Sequence, residues 1–235
     1  MKILIWNTWY RVHPEVTLRA IACLNCDILL LQEVRLDAWS KNYYSLPEQI
    51  YDLGYASHMF ECRAFNGYRE GSGIFSRWNL TAKRSVELRT GGRAPLRGGA
   101  LSRRMYLEAT IGLPRREALT VGLAHLSYPL PFGIGREYRA VELEKLCIEI
   151  KKPKQNFILG GDLNAVPMSS KIEKISRVLK HLGPDFSEKS WLPARSPWFA
   201  RRLDYAFGTG DIAAKAYLAP IQSSDHRPLI VELDL

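Results

Sequence analysis

Lys2-Ile3-Leu4-Ile5-Trp6, then Pro14 to Asn25, then Asp27-Ile28-Leu29-Leu30-Leu31, decide the fold class. Lys2–Trp6 is a short apolar run and reads as a strand. Pro14 suits a first helical turn, where its missing N–H would have no partner anyway. Leu18, Ile21 and Ala22 follow at helical spacing. Asp27–Leu31 is apolar without alternation, the pattern of a strand covered on both faces. Strand, helix, strand is the opening unit of a layered α/β core.

Outward from this unit, Tyr43–Leu53 reads as a second helix. Ala56–Phe60, Ser72–Ser76, Thr81–Leu88, Arg104–Ile111 and Ala118–Ala124 are spaced like an antiparallel meander. Gly135 precedes a helix over Arg136–Ile150, with Leu143, Leu146, Cys147 and Ile150 on one face. Asn156–Leu159 is a further apolar strand. Ser170–Leu182 reads as a helix capped by Gly183. Strands are expected near Leu203–Phe207, Ala213–Leu218 and Leu229–Leu233. About ten strands exceed one comfortable sheet, so two packed sheets with helices outside fit better.

The 235 residues are 46% hydrophobic, enough for a full core. Without a linker, repeat or low-complexity tract, residues 1–235 read as one domain. No apolar run approaches the roughly 18 residues that a membrane-crossing helix needs. Met1–Trp6 reads as a strand and lacks a signal peptide's apolar core and cleavage site. Cysteines at 23, 26, 62 and 147 are too few for a disulfide scaffold. Cys23-x-x-Cys26 has no second pair to complete a zinc site, so reduced cysteines in or near the core are expected. A cytoplasmic setting and a monomer follow as expectations. The formal charge of +9 favours anionic partners: nucleic acid, an anionic membrane surface or phosphorylated small molecules.

Chemistry-bearing residues stand at or near strand ends. Asn7 follows the first strand and Glu33 the second. If those strands are parallel neighbours, both side chains emerge at the carboxyl edge, where open α/β sheets bind ligands. Oxygen donors there suit a hard cation such as Mg²⁺. Singly, Asn7 could cap a helix and Glu33 could be a surface acid. In Gly160-Gly161-Asp162-Leu163-Asn164 the glycines permit a sharp turn and close approach. Asp162 can orient or deprotonate a water, and Asn164 can donate to a phosphoryl oxygen. The same segment could be a plain Asx turn. His125 follows an apolar run and His226 follows Asp225. Imidazolium can neutralise charge building on phosphorus, and Asp204 is a candidate to orient one ring.

Taken together, Trp6-Asn7, Leu30-Leu31-Gln32-Glu33-Val34, Gly71-Ser72-Gly73-Ile74-Phe75-Ser76-Arg77, Ala124-His125-Leu126, Gly161-Asp162-Leu163-Asn164, Arg202-Leu203-Asp204-Tyr205 and Ser224-Asp225-His226 resemble the endonuclease/exonuclease/phosphatase superfamily. The resemblance spans nearly the whole chain. It implies the deoxyribonuclease-I-like α/β fold: a four-layer sandwich of two packed mixed β-sheets flanked by helices. It implies Glu33 as principal metal ligand, Asn7 near the metal or phosphate, and Asp225 binding or approaching the metal. Asp162 would position the nucleophilic water, Asn164 would contact the phosphate, and His125 and His226 would stabilise the transition state. Asp204 would orient His226. Mg²⁺, replaceable by Mn²⁺, is the implied cofactor. Arg104 resembles a phosphate-contacting position in some members. Arg139 and Glu142 stand where many members have Arg and Gln; Glu142 departs from that pattern and reads as a helix-surface acid.

The shared motifs indicate the reaction class, not the substrate. The charge, the segment Arg89–Arg104 and the segment Trp191–Arg202 favour nucleic acid as partner, DNA before RNA. Arg89, Arg93, Arg97, Arg103 and Arg104 could track a phosphate backbone. Trp191, Trp198 and Phe199, interleaved with Arg195, Arg201 and Arg202, could stack on bases. Trp9, two positions after Asn7, stands where many abasic-site endonucleases carry an Asp, which disfavours that subgroup. The expectation is a DNA endonuclease leaving 5′-phosphate and 3′-hydroxyl ends. The alternatives are a phosphatase or phosphodiesterase for small phosphorylated molecules or lipid head groups, and an inactive nucleic-acid-binding scaffold.

Overall fold

The structure, a computed structural model, describes residues 1–37, 45–65, 68–90, 92–93, 100–101, 103–114, 116–128, 136–194, 196–210 and 212–234. Side chains at 57–68, 92–93, 100–101 and 136 lie outside that description. The chain opens with β1 (Lys2–Asn7), α1 (Pro14–Leu24) and β2 (Ile28–Arg35), the expected unit. The side chain of His13 caps α1 by accepting from the Glu15 N–H at 3.3 Å. Asn25 ends the helix in the left-handed conformation, φ 45°.

Next come α2 (Leu46–Asp52), β3 (Ala56–Phe65), β4 (Tyr68–Ser76) and β5 (Leu80–Arg89). A capping box between Ser45 and Glu48 starts α2 at Leu46 rather than Tyr43. Two short strands, β6 (Gly92–Arg93) and β7 (Ala100–Leu101), pair only with each other. β8 (Arg104–Ile111), β9 (Leu119–Ala124), α3 (Arg136–Ile150), β10 (Phe157–Asp162), α4 (Ser170–Ser176), β11 (Lys180–His181), β12 (Asp204–Gly208), β13 (Ala214–Leu218) and β14 (Leu229–Leu233) complete the chain.

The strands form two six-stranded sheets, β13-β14-β1-β2-β4-β3 and β11-β12-β10-β9-β8-β5. The expected single meander is therefore divided. β3 and β4 pair in the first sheet, while β5, β8 and β9 pair in the second. Each sheet has one parallel pair, β1 with β2 and β9 with β10. A helix connects the strands of each pair, α1 in one and α3 in the other.

Alternation along each strand explains the four layers. Ile3, Ile5, Ile28 and Leu30 face the second sheet's Leu107, Val121, Leu123 and Ile158 in the central core. Their neighbours Leu4, Trp6, Leu29 and Leu31 pack with Ile21 and Ile50 of the first helical layer. On the far side, Phe157, Leu159 and Tyr205 pack with Leu146 and Ile175. The sheets meet so closely that a Cβ on Gly160 would lie 2.5 Å from Ile5 Cδ1.

The helix expected over Ser170–Leu182 stops at Ser176. Val178 and Leu179 N–H groups fold back to Ile175 O at 2.9 Å each. Lys180–His181 then joins the edge of β12 opposite Gly208 and Phe207. Gly183, at φ +100°, caps no helix. Sheet-edge hydrogen bonds and burial of Leu182 in the central core win over local helical spacing. Cys26 is buried and Cys147 half-buried as expected, but Cys23 is exposed on α1. Among the described residues, no helix is long and apolar enough to cross a membrane.

Candidate active site

Topology brings the strand ends together. Because β1 and β2 are parallel, Asn7 and Glu33 emerge at one carboxyl edge. β9 and β10, also parallel, deliver His125 and Asp162 in the second sheet. β12 runs antiparallel to β10 and places Asp204 opposite Asp162. β14 runs antiparallel to β1, so Ser224–His226, which precede it, reach the same end. A cleft of about 240 Å³ results, walled by Asn7, Glu33, His125, Asp162, Asp225 and His226. Asn164 and Arg104 also line it, and Asp204 stands behind His226.

Local backbone aims two of these side chains. Glu33 has φ 52° in a bulge where the β2–β4 register shifts between Leu31 and Val34. A β-bulge re-aims a side chain at the end of regular pairing. Thr8 holds it, donating from Oγ1 to Gln32 O at 3.1 Å and Glu33 O at 3.2 Å. Asn164 has φ 44° just beyond β10. Gly161 precedes Asp162 at φ +145°, where a Cβ would meet Ala124 O at 1.9 Å, so glycine alone fits.

The polar groups form one network. Asn7 Nδ2 donates to Glu33 Oε1 at 3.3 Å and Asp162 Oδ2 at 3.2 Å. Asp162 Oδ1 accepts the Asn164 N–H at 2.9 Å. The Asn164 amide donates to Leu126 O at 2.9 Å and Asp162 Oδ2 at 3.3 Å. Two imidazoles flank Asp162 Oδ2: His125 Nε2 at 3.7 Å and His226 Nε2 at 3.8 Å. His226 Nδ1 lies 2.8 Å from Asp204 Oδ2.

Burial dominates the electrostatics. Desolvation, with Glu70 adding repulsion, pushes the Glu33 carboxyl up to about 7. Asp162 is pushed up to about 6 by burial and by Asp204, against the pull of His226. Burial alone would lower His226, but Asp204 beside it raises the imidazole to about 10. His226 is then an imidazolium at neutral pH, its Nδ1–H on Asp204 and its Nε2–H toward the cleft.

These carboxylates and the carboxamide of Asn7 make an oxygen-rich set suited to a hard divalent cation. Burial is the main reason Glu33 is raised, and a cation beside it would favour the ionised form. Asp162, Asp204 and His226 also come within ligand distance of one another. With its Nδ1 held at Asp204, His226 would offer Nε2 to a cation only as the neutral ring. Glu33, Asn7 and Asp225 line the same cleft and add further oxygen donors. Asp225 is already held, its Oδ2 by Trp191 Nε1 at 3.0 Å and its Oδ1 by Ser224 Oγ at 3.3 Å.

Other expectations part company with the structure. Glu142 is not a helix-surface acid: it is fully buried. It accepts Ser127 N–H at 2.8 Å and Ser127 Oγ–H at 2.6 Å, and pairs with Arg89 at 3.1 Å. Arg104 Nε donates to the same Ser127 at 3.3 Å, which holds it at the cleft wall. Arg202, expected among the arginines interleaved with base-stacking aromatics, is 2% exposed and donates to the carbonyls of Asp204 and Gly183. Trp198 is 74% exposed on a short 3-10 turn, Pro197–Phe199, outside the cleft lining. Arg97 lies outside the described residues, as does the side chain of Arg93.

The sequence reading missed three supports. Ser190 Oγ accepts the N–H groups of Leu203 and Asp204, each at 3.0 Å. Trp6 Nε1 donates to His226 O at 2.9 Å. Trp191 holds Asp225 rather than stacking outward. A buried serine or indole at long range leaves no local periodic signal.

Similarity to other proteins agrees with this geometry. The sequence profile of the Endonuclease/Exonuclease/phosphatase family matches residues 4–226. A curated protein of Yersinia enterocolitica, UPF0294 protein YE0917, is 32% identical over 101 residues, 43% of this chain. That match spans only 38% of the Yersinia protein's length. An endonuclease/exonuclease/phosphatase from Beutenbergia cavernae superposes with TM-score 0.77 at 20% identity, covering 99% of this chain and 71% of that one. ANGEL2, a 2′,3′-cyclic phosphatase solved with adenosine-2′,3′-vanadate, superposes with TM-score 0.72 at 17% identity, covering 99% and 94%. At such identities the structural likeness speaks for the fold alone. The profile match over almost all of the sequence, on this four-layer fold, shows that the chain belongs to the endonuclease/exonuclease/phosphatase family, a family of phosphoester hydrolases that generally depend on a divalent metal.

Proposed function

We propose that the chain is a divalent-metal-dependent phosphodiesterase acting on nucleic acid, with DNA as substrate and 5′-phosphate and 3′-hydroxyl ends as products. The observation that carries hydrolysis is Asp162 Oδ2 between two imidazoles, with a second acid, Asp204, fixing one of them. The net charge of +9 supports a polyanionic substrate.

A divalent cation held by Glu33, Asn7 and Asp225, Mg²⁺ or Mn²⁺, would supply Lewis acidity to the phosphoryl oxygens. The chain's own residues do the rest. Asp162, raised toward neutrality, is a better proton acceptor than an ordinary aspartate and still largely ionised at pH 7. Its hydrogen bonds from Asn7 and Asn164 fix its orientation toward a water. His226, kept protonated by Asp204, places positive charge where negative charge builds on phosphorus. His125 offers a second imidazole on the same side of Asp162. Arg104 on the cleft wall would meet a non-bridging oxygen, and Asn164 would do so on exchanging one of its present amide hydrogen bonds.

Plasmid DNA incubated with protein and Mg²⁺ tests the proposal. Nicking should vanish with chelator and fall roughly 10²–10⁴-fold in Asp162→Ala. Nicking that survives both changes overturns it. The second reading is a phosphatase or phosphodiesterase for small phosphorylated molecules, an activity that the same fold carries in ANGEL2, a 2′,3′-cyclic phosphatase. It predicts turnover of mononucleotides or cyclic phosphates with intact DNA.

A further inference from the structure

Next to the catalytic cleft lies a larger cavity of about 840 Å³. Tyr128, Asn164, Trp191 and Leu203 line both, so the two are neighbours across one wall. Arg139, Lys171, Lys174 and Arg201 line the cavity, and no carboxylate among the described residues does. Its remaining wall is largely apolar and aromatic, including Leu143 and Phe199.

Three donors on residues of this lining, Lys171 Nζ, Arg139 Nε and Ser169 Oγ, have no hydrogen-bond partner among the described residues; neighbouring atoms cover them, so a phosphate would reach them as their side chains turn toward the cavity. Lys171 is 8% exposed. Buried polar groups are nearly always paired, and an unpaired buried ammonium is especially unfavourable. Burial, with Arg139 adding repulsion, lowers its pKa to about 8. The acids whose charge reaches Lys171 are Glu142 and Asp162. Glu142 is already engaged by Ser127 and Arg89, and Asp162 by Asn7 and Asn164. Packing of α4 is met by Ile172 and Ile175, which fill the outer core without help from the lysine. Arg139 Nη2 donates to Asn164 O at 3.3 Å, which ties the cationic group directly to the catalytic loop.

We infer that Arg139, Ser169 and Lys171 form a binding site for a second phosphate of the substrate, distinct from the one hydrolysed. The inference rests on reading the adjacent cleft as a phosphoester-hydrolysing site. It narrows the substrate class to molecules with at least two phosphates, such as a nucleic-acid strand. A sugar and base between the two phosphates would lie against Trp191 and Tyr128 in the shared wall.

Thymidine p-nitrophenyl phosphodiesters provide the test. The ester is placed on the 3′ or the 5′ oxygen, each with and without a phosphate on the other hydroxyl. The readout is the ratio of kcat/KM within each pair, which is independent of the fraction of folded protein. The second phosphate should raise kcat/KM about tenfold in one pair, as expected of charge-assisted hydrogen bonds. Lys171→Met should bring that ratio close to one, and Ser169→Ala should lower it about twofold. Ratios near one in both pairs for the parent protein, or a ratio unmoved by Lys171→Met, overturn the inference.

Calorimetric titration with inorganic phosphate, without metal, needs no turnover. Binding weakened about tenfold in Lys171→Met supports the site, and equal binding overturns it. If no ester is hydrolysed yet phosphate binding depends on Lys171, the catalytic reading fails and the anion site stands.

Discussion

The candidate cleft and the cavity beside it share a wall and differ in charge: acids mix with Arg104 and two histidines in the first, and among the described residues only cations carry charge in the second. The cleft gathers Glu33, Asp162 and Asp225. The cavity gathers Arg139, Lys171, Lys174 and Arg201. Burial acts against charge in both. It raises the carboxyls of Glu33 and Asp162 and lowers the ammonium of Lys171. One physical cause, loss of hydration, thus acts in both regions; on the proposed reading a cation would relieve it in the first and an anion in the second. A metal-dependent phosphoester hydrolase has use for both.

The contrast can be broken most strongly at Asp204. Asp204→Asn should lower kcat about 10²-fold or more, because His226 loses both its orientation and its charge partner. The alkaline limb of the rate profile should move to lower pH, since Asp204 holds the imidazole at about 10. For stability the sign is fixed by a folded-state pKa above the ordinary 6.5 of histidine. The stabilisation is complete below about pH 6.5 and is lost as pH rises through about 10. Urea denaturation should therefore show parent and variant furthest apart near pH 6 and converging as pH rises toward about 10. An unmoved alkaline limb would mean that Asp204 does not hold the charge on His226.

Glu33 sharpens the comparison with a smaller effect. Its folded-state pKa of about 7 exceeds the ordinary 4.5, so ionisation opposes folding as pH rises through that window. Metal-free Glu33→Gln should melt about 2–4 °C higher than the parent at pH 8 and no higher near pH 4. Mg²⁺ should reverse the order at pH 8, stabilising the parent alone. A variant that melts lower than the parent without metal would show that the acid cluster is not frustrated.

The smallest effect belongs to Trp198, which stands on the rim beyond both regions. Trp198→Ala should weaken DNA binding about threefold in filter binding, with the melting temperature unchanged. Unaltered affinity would place the DNA path elsewhere.

Much of the cleft was legible in sequence. Asn7, Glu33, Asp162, Asp225 and His226 announce themselves as polar residues at the ends of apolar runs. The neighbouring cavity was not. Lys171 lies in a stretch that reads as an ordinary helix, and only tertiary packing leaves its ammonium buried beside Arg139. Glu142 misled for the same reason: helical spacing says which residues share a face, not what covers that face. The Ser170–Leu182 helix failed because β12 offered Lys180 and His181 hydrogen bonds that no local pattern reveals.

The sequence by itself determined the alternation that makes β1 and β2 two-sided, the strand-helix-strand order, and the chemical types available for catalysis. These are local properties, set by side-chain size, polarity and spacing. Tertiary structure alone decided that Asn7 would reach Asp162, 155 positions away, and that Trp6 would hold the backbone of His226, 220 positions away. It also decided which strands share a sheet and which cations are left unpaired. Antiparallel register and sheet-on-sheet packing make those choices, because each depends on what a residue meets and not on what precedes it.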